Sequence, residues 1–335
     1  MIFLDILRIV MAIFIFLRHL ITMGGCVFGH LDDFICAQTN IVMIAFFIVS
    51  GFCINSSSKG FSTKKDVLYF YKDRLLKILP LYLSVEVIRF LIGVYCDGKG
   101  IEYVATLPIR LLGIQIHYSV EVFSGVSWFV SCLLVCYFVF PLVSILFDKL
   151  SCRKRVFLGI GILLILTYSQ VICRWYSNID MYYDPFFRSL EFVLGVLVSS
   201  LLMDINEHNK LIFRLGFSVL TFFLLFVYEK KVLSEGSCAL GFITATMMII
   251  CAGWERVSTD SIPCKVVVKI SSFTFELFVL QDILFSTPVY RLEDHLLRNG
   301  GNDEKRLFYI ITMVVLIILS RCWGIFIKRL RAFHK

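Results

Sequence analysis

Leu4-Asp5-Ile6-Leu7-Arg8-Ile9-Val10-Met11-Ala12-Ile13-Phe14-Ile15-Phe16-Leu17-Arg18-His19-Leu20 is a strongly apolar run that nevertheless holds an arginine and a histidine eleven positions apart. Read as a helix, eleven steps return to within roughly 20° of the start and rise about 16 Å. Arg8 and His19 then share one face, three turns apart. An arginine within a bilayer-spanning helix costs at least about 2.5–3.5 kcal/mol on insertion scales. A helix that carries this cost and adds an imidazole on the same face is a candidate site, with both groups expected to look into one wet cavity. The plainer reading has Arg8 snorkelling to one membrane face and His19 hydrogen-bonding a neighbouring helix.

The rest of the chain supports the membrane setting. Of 335 residues, 59% are hydrophobic and only 17% are charged, against about 25% charged in soluble domains. Mean hydropathy is +0.84. Runs long enough to span about 30 Å of hydrocarbon fall at roughly 6–23, 39–55, 76–96, 124–147, 156–173, 186–203, 211–228, 237–254, 266–288 and 307–327. The expected fold is therefore all-α, a polytopic bundle of about ten transmembrane helices forming one domain over 1–335. The run at 266–288 is interrupted by Glu276, Gln281 and Asp282, and Pro108 and Arg110 break 101–118 into an interfacial or re-entrant piece. The opening segment lacks a basic leader and a small-residue cleavage site, so a retained anchor is expected.

Charge gives an orientation. With the N-terminus inside, the inner loops and tail hold 19 Lys and Arg and the outer loops 9. That bias predicts both termini in the cytoplasm, with Arg8 near the cytoplasmic face and His19 in the outer half. The net charge of +8 then reflects membrane topology, and no nucleic-acid partner is expected. The twelve cysteines include no Cys-x-x-Cys, and about half lie in apolar runs where cysteine acts as a small hydrophobe. Neither a disulfide framework nor a metal site is expected from them. His30, His117, His208, His295 and His334 fall in expected loops or the tail and read as surface residues.

Four further segments carry polar chemistry. Phe46-Phe47-Ile48-Val49-Ser50-Gly51-Phe52 places a hydroxyl and a glycine within a span, where small residues often mean close helix packing. Arg74 and Lys77, in Tyr71–Pro80, suit an anionic phosphate group, or serve as positive-inside anchors. Trp128, in Ser127-Trp128-Phe129, reads first as an interfacial anchor. Arg188 and Glu191, three apart in Asp184–Gly195, can pair on one helix face and so lower the cost of burying either.

Taken in order, these segments resemble the integral-membrane acyltransferase-3 family of bacterial surface-sugar O-acyltransferases. The family's Leu-Asp-x-Leu-Arg opening and Arg/Lys-x10-His spacing appear as Leu4–Arg8 and His19. Its Phe-Phe-x-x-Ser-Gly-Phe appears at 46–52, and its Arg-x-x-Arg/Lys-Ile-x-Pro at Arg74–Pro80. A Trp-Phe helix start follows at Trp128-Phe129, then Arg-x-x-Glu-Phe-x-x-Gly at Arg188–Gly195. Two departures stand out: Gln281 where a histidine is expected late in the chain, and Arg18 beside His19.

The resemblance implies transfer of an acyl group, acetyl foremost, from cytoplasmic acyl-CoA to a hydroxyl of a cell-surface or lipid-linked saccharide, in the plasma or inner membrane and with no resident cofactor. It implies His19 as base or transient acyl carrier. Arg8, with Arg74 and Lys77, would hold the CoA phosphates, and Asp5 would orient Arg8. Arg188 and Glu191 would line or brace the cavity, and Ser50, Trp128 and Gln281 would complete the substrate site. A transporter or flippase of a lipid-linked saccharide and a membrane glycan polymerase are the competing readings. A transporter predicts internal pseudo-repeats and a polymerase a long outer loop, and the sequence displays neither.

Overall fold

A computed structural model describes residues 2–22, 28–92, 94–95, 101–102, 104–106, 108, 127–175, 182–204, 215, 219, 238–252, 261–284 and 301–333. Among the described residues the structure is helical, with no strand. The main helices are α1 (Ile2–Thr22), α2 (His30–Ser57), α3 (Lys64–Ile92), α4 (Ser127–Lys149) and α5 (Cys152–Trp175), followed by α6 (Pro185–Asp204), α7 (Cys238–Ala252), α8 (Ile262–Ser271), α9 (Thr274–Leu284) and α10 (Asn302–Phe333). The expected span at 211–228 lies almost wholly outside the described residues, as do His117, His208, His295 and His334. His30 opens α2 and is exposed.

Among the described residues, four stretches are long and apolar enough to cross a bilayer: His30–Ser57, Trp128–Lys149, Pro185–Asp204 and Asn302–Ile327. Helix α1 is comparably long but carries Asp5, Arg8 and Arg18. The outward faces agree with a lipid surround. On α10, Leu307, Ile310, Ile311, Val314 and Ile318 are exposed, and on α5 Phe157, Ile160 and Leu164 are. An apolar belt of this extent on a soluble protein would be an aggregation surface. In hydrocarbon it is the favourable one.

Two helix boundaries differ from expectation. The basic lead-in to the third span is continuous with it, because α3 starts at Lys64 and runs through Pro80. Its start is capped reciprocally: the N–H groups of Ser62 and Thr63 donate to Asp66 Oδ2, at 3.0 and 2.7 Å, and Asp66 N–H donates to Thr63 Oγ1 at 3.3 Å. Those bonds, from Thr63 first, hold the Asp66 carboxyl below the usual aspartate value. The interrupted ninth run is two helices. Ser272 and Phe273 turn between α8 and α9, and local bonds replace the lost ladder, with Thr274 Oγ1 donating to Ser271 O (2.9 Å) and Ser272 Oγ to Lys269 O (2.7 Å).

Cross-helix contacts give the directions. Asp5 meets Ser271, and Arg89 meets Asp282, so α1, α3 and the broken α8–α9 run parallel. Asn55 meets Ser199 and Cys136 meets Arg188 and Ser189, so α2, α4 and α6 run parallel as a second set. The tightest crossing joins the two sequence motifs that carry glycine. A Cβ on Gly51 would fall on the Phe192 carbonyl oxygen, and one on Gly195 on the Ile48 carbonyl oxygen. The two backbones touch, as small residues permit.

Candidate functional site

At the end of the bundle where α1 and α3 begin, a cavity of about 510 Å³ opens. Its wall draws on α1, α2, α3, α4, both sides of the α8–α9 break, and α10. Four expected site residues converge there: Arg8, Ser50, Arg74 and Lys77. Lys269 and Arg321 join them, making five cations among the described residues, with Glu276 the one carboxylate that these contribute to the wall. Thr274, Phe275 and Glu276, the opening turn of α9, also line it. The positive dipole end of a helix thus faces the same space as the cations.

The cations are positioned by named partners. Arg8 Nη1 lies 3.7 Å from Asp5 Oδ1, and that oxygen accepts a 2.7 Å bond from Ser271 Oγ. Asp5 therefore links α1 to the end of α8 and aims Arg8 across the cavity mouth. Lys77 Nζ bonds Asp73 Oδ2 at 2.6 Å one turn back. The Arg74 guanidinium lies over the rings of Phe70 and Tyr137, at 5.5 and 5.8 Å, and its Nε lies 3.8 Å from Asp73 Oδ2. Ser320, fully buried on α10, has no hydrogen-bond partner for its hydroxyl among the described residues and also lines the cavity. The lining combines these cations with the apolar side chains of Phe46, Phe129 and Leu133, a chemistry suited to an anion that carries an apolar part.

His19 does not line this cavity. Arg8 lines it while the imidazole, expected to share one space with Arg8, is not among its lining residues. The imidazole lies near the far end of α1, where Gln281 faces it and Asp282 is close enough to act on its charge. Asp282 pairs with Arg89 of α3 at 2.5 Å, both buried. Gln281, where a histidine was expected, is wholly buried.

Arg188, Glu191 and Trp128 also stand apart from the cavity. Arg188 is 1% exposed and fully engaged. Nη1 donates to both Glu191 oxygens at 2.9 and 2.8 Å, Nε to Tyr182 O at 2.9 Å, and Nη2 to Asn40 Oδ1 at 3.2 Å. Phe47, Trp128 and Tyr182 surround the guanidinium at 5.6, 5.9 and 5.2 Å. Trp128 is 8% exposed, a member of that shell rather than a free interfacial anchor. Of the two roles expected for Arg188 and Glu191, the geometry supports bracing.

Sequence reasoning missed Lys269, Arg321, Tyr137 and the Arg89–Asp282 pair. Lys269 counted only as a loop charge, and Arg321 sat within an apolar run. A signal was present for the break itself, in Ser271-Ser272-Phe273-Thr274 followed by Glu276.

Nothing among curated proteins or solved structures matches the chain. A family model described as an acyltransferase domain matches residues 1–327, nearly the whole length and every segment that builds the cavity and its surroundings. The chain belongs to the acyltransferase-3 family.

Proposed function

We propose that this membrane acyltransferase is a multi-pass inner-membrane O-acyltransferase that moves an acyl group, acetyl foremost, from cytoplasmic acyl-CoA to a hydroxyl of a cell-surface or lipid-linked saccharide. The observation that carries this reading is the cavity in which Arg8, Arg74, Lys77, Lys269 and Arg321 meet the N-terminal turn of α9. Guanidinium and ammonium groups beside a helix N-terminus suit phosphates. The apolar depth below them suits the thioester arm.

Chemistry follows from the other end of α1. His19 takes the proton from the acceptor hydroxyl as its oxygen attacks the thioester carbonyl. The tetrahedral intermediate collapses, the C–S bond breaks, and the imidazolium returns its proton to the leaving thiolate. The products are an ester and free CoA. A neutral imidazole has the basicity for both steps near neutral pH. Alternatively His19 accepts the acyl group itself and passes it on, and trapping a labelled acyl-protein separates the two routes.

The test uses radiolabelled acetyl-CoA with membranes containing the wild type, His19→Ala, Arg8→Ala or Arg8→Lys. Label enters saccharide with the wild type and not with His19→Ala. Arg8→Ala raises the apparent donor KM, and Arg8→Lys keeps part of the activity. Equal labelling with His19→Ala removes the base assignment, and unchanged donor binding in Arg8→Ala removes Arg8 from the donor site. No labelling with any protein turns the reading towards a different donor or a transport role.

A further inference from the structure

Helix α9 passes through three environments in succession. Thr274, Phe275 and Glu276 line the cationic cavity, Phe278 is 2% exposed among other rings, and Gln281 faces His19. At 1.5 Å per residue, Phe278 stands about one turn short of the imidazole's level. Two more helices supply the rings around it. Phe129 of α4 lies 4.5 Å from Phe278, Phe46 of α2 lies 6.1 Å from it, and Phe46 and Phe129 are 5.5 Å apart in an edge-to-face arrangement. Phe46 and Phe129 present their other sides to the cavity. Phe46 and Phe129 thus line the cavity, and Phe278, packed on both, lies one turn along α9 from Gln281, which faces His19.

We infer that Phe46, Phe129 and Phe278 form an aromatic partition between donor cavity and His19, and that its aperture decides which acyl groups reach the imidazole. The inference rests on the acyl-transfer reading above. A donor held by its phosphates at the mouth points its thioester down towards Phe46 and Phe129. Mutually packed rings leave no standing passage, so the acyl group crosses by displacing a ring. A two-carbon group requires the smallest displacement, and each further methylene requires more. Phe129 makes the closest of the three ring contacts, 4.5 Å to Phe278, so shortening its side chain opens the aperture most. Interior packing is dense enough that one methylene is felt, and discrimination per methylene in apolar pockets runs about 10- to 200-fold.

The test is an acyl-length profile. Membranes carrying the wild type, Phe129→Leu, Phe129→Ala or Phe129→Trp receive acetyl-, butanoyl- or hexanoyl-CoA with labelled acyl groups, and label in saccharide is measured. Thermal unfolding of each purified protein in detergent reports folding, and Phe129→Leu serves if Phe129→Ala does not fold. The wild type transfers acetyl at least about tenfold faster than butanoyl, a methylene-scale discrimination. Phe129→Leu and Phe129→Ala raise the butanoyl-to-acetyl ratio about tenfold or more on the same scale, and Phe129→Trp lowers it. A merely structural role would depress all donors together and leave the ratio alone. A flat wild-type profile, or unchanged ratios in a folded Phe129 variant, overturns the partition and leaves the acyltransferase reading standing. Absence of transfer from every donor by the wild type overturns both.

Discussion

Arg8 and Arg188 show how one residue type takes two roles according to what surrounds it. Arg188 has its guanidinium committed to Glu191, Tyr182 and Asn40, which leaves little with which to hold a ligand. Arg8 has a single carboxylate at 3.7 Å and a cavity in front of it. The Arg89–Asp282 pair behind His19 resembles the first case. Removing one member of such a buried pair strands the other charge, at a cost of about 3–5 kcal/mol. Arg89→Met and Asp282→Leu are each expected to lower the unfolding temperature in detergent sharply, and the double variant to lose less than the two singles together. Additive losses would show that the pair is not energetically coupled.

At the scale of elements, the α2–α6 crossing is the joint on which the bundle is set. Gly51 and Gly195 each face backbone of the other helix, so an added methyl has no flexible side chain to displace and the helices must part. Overpacking of this kind costs about 1–3 kcal/mol or more. Gly195→Ala and Gly51→Ala are expected to reduce thermal stability and yield. Gly161→Ala, on α5 with nothing within 4 Å, is the control, expected to stabilise by about 0.5–1 kcal/mol because mid-helix glycine is costly. Equal effects at all three positions would show that the crossing tolerates the methyl. Parting α2 from α6 also shifts Phe46 and Ser50, so activity should fall with stability at Gly51 and Gly195. The α8–α9 break is the second joint. Irregular backbone at membrane depth is tolerated where it lines a cavity, and here it turns a helix start towards the cations.

For the molecule as a whole, the excess of Lys and Arg on one side and the cavity mouth coincide at the end where α1 begins. In the proposed orientation, with both termini inside, the proposed donor cavity opens on the cytoplasmic face. Cys152 opens α5 at that same end and is exposed. A variant keeping Cys152 as its one cysteine should resist a membrane-impermeant maleimide in intact cells and react in inverted vesicles, whereas reaction in intact cells would reverse the orientation. The helical class, the family and the importance of Arg8, Ser50, Arg74 and Lys77 to one space were legible in the chain because hydropathy, helical spacing and motif order are local properties. The polar residues themselves could be read from 188–191 and 281, but their placement could not. Whether Arg188 faces a cavity or a carboxylate depends on Asn40 and Tyr182, far off in sequence. Which side chains surround Arg8 and which surround His19 depends on α3, α9 and α10, far off in sequence. Periodicity put guanidinium and imidazole on one face of one helix, and only tertiary packing decided that Arg8 lines the cavity with Arg74, Lys77, Lys269 and Arg321 while Gln281 of α9 faces His19.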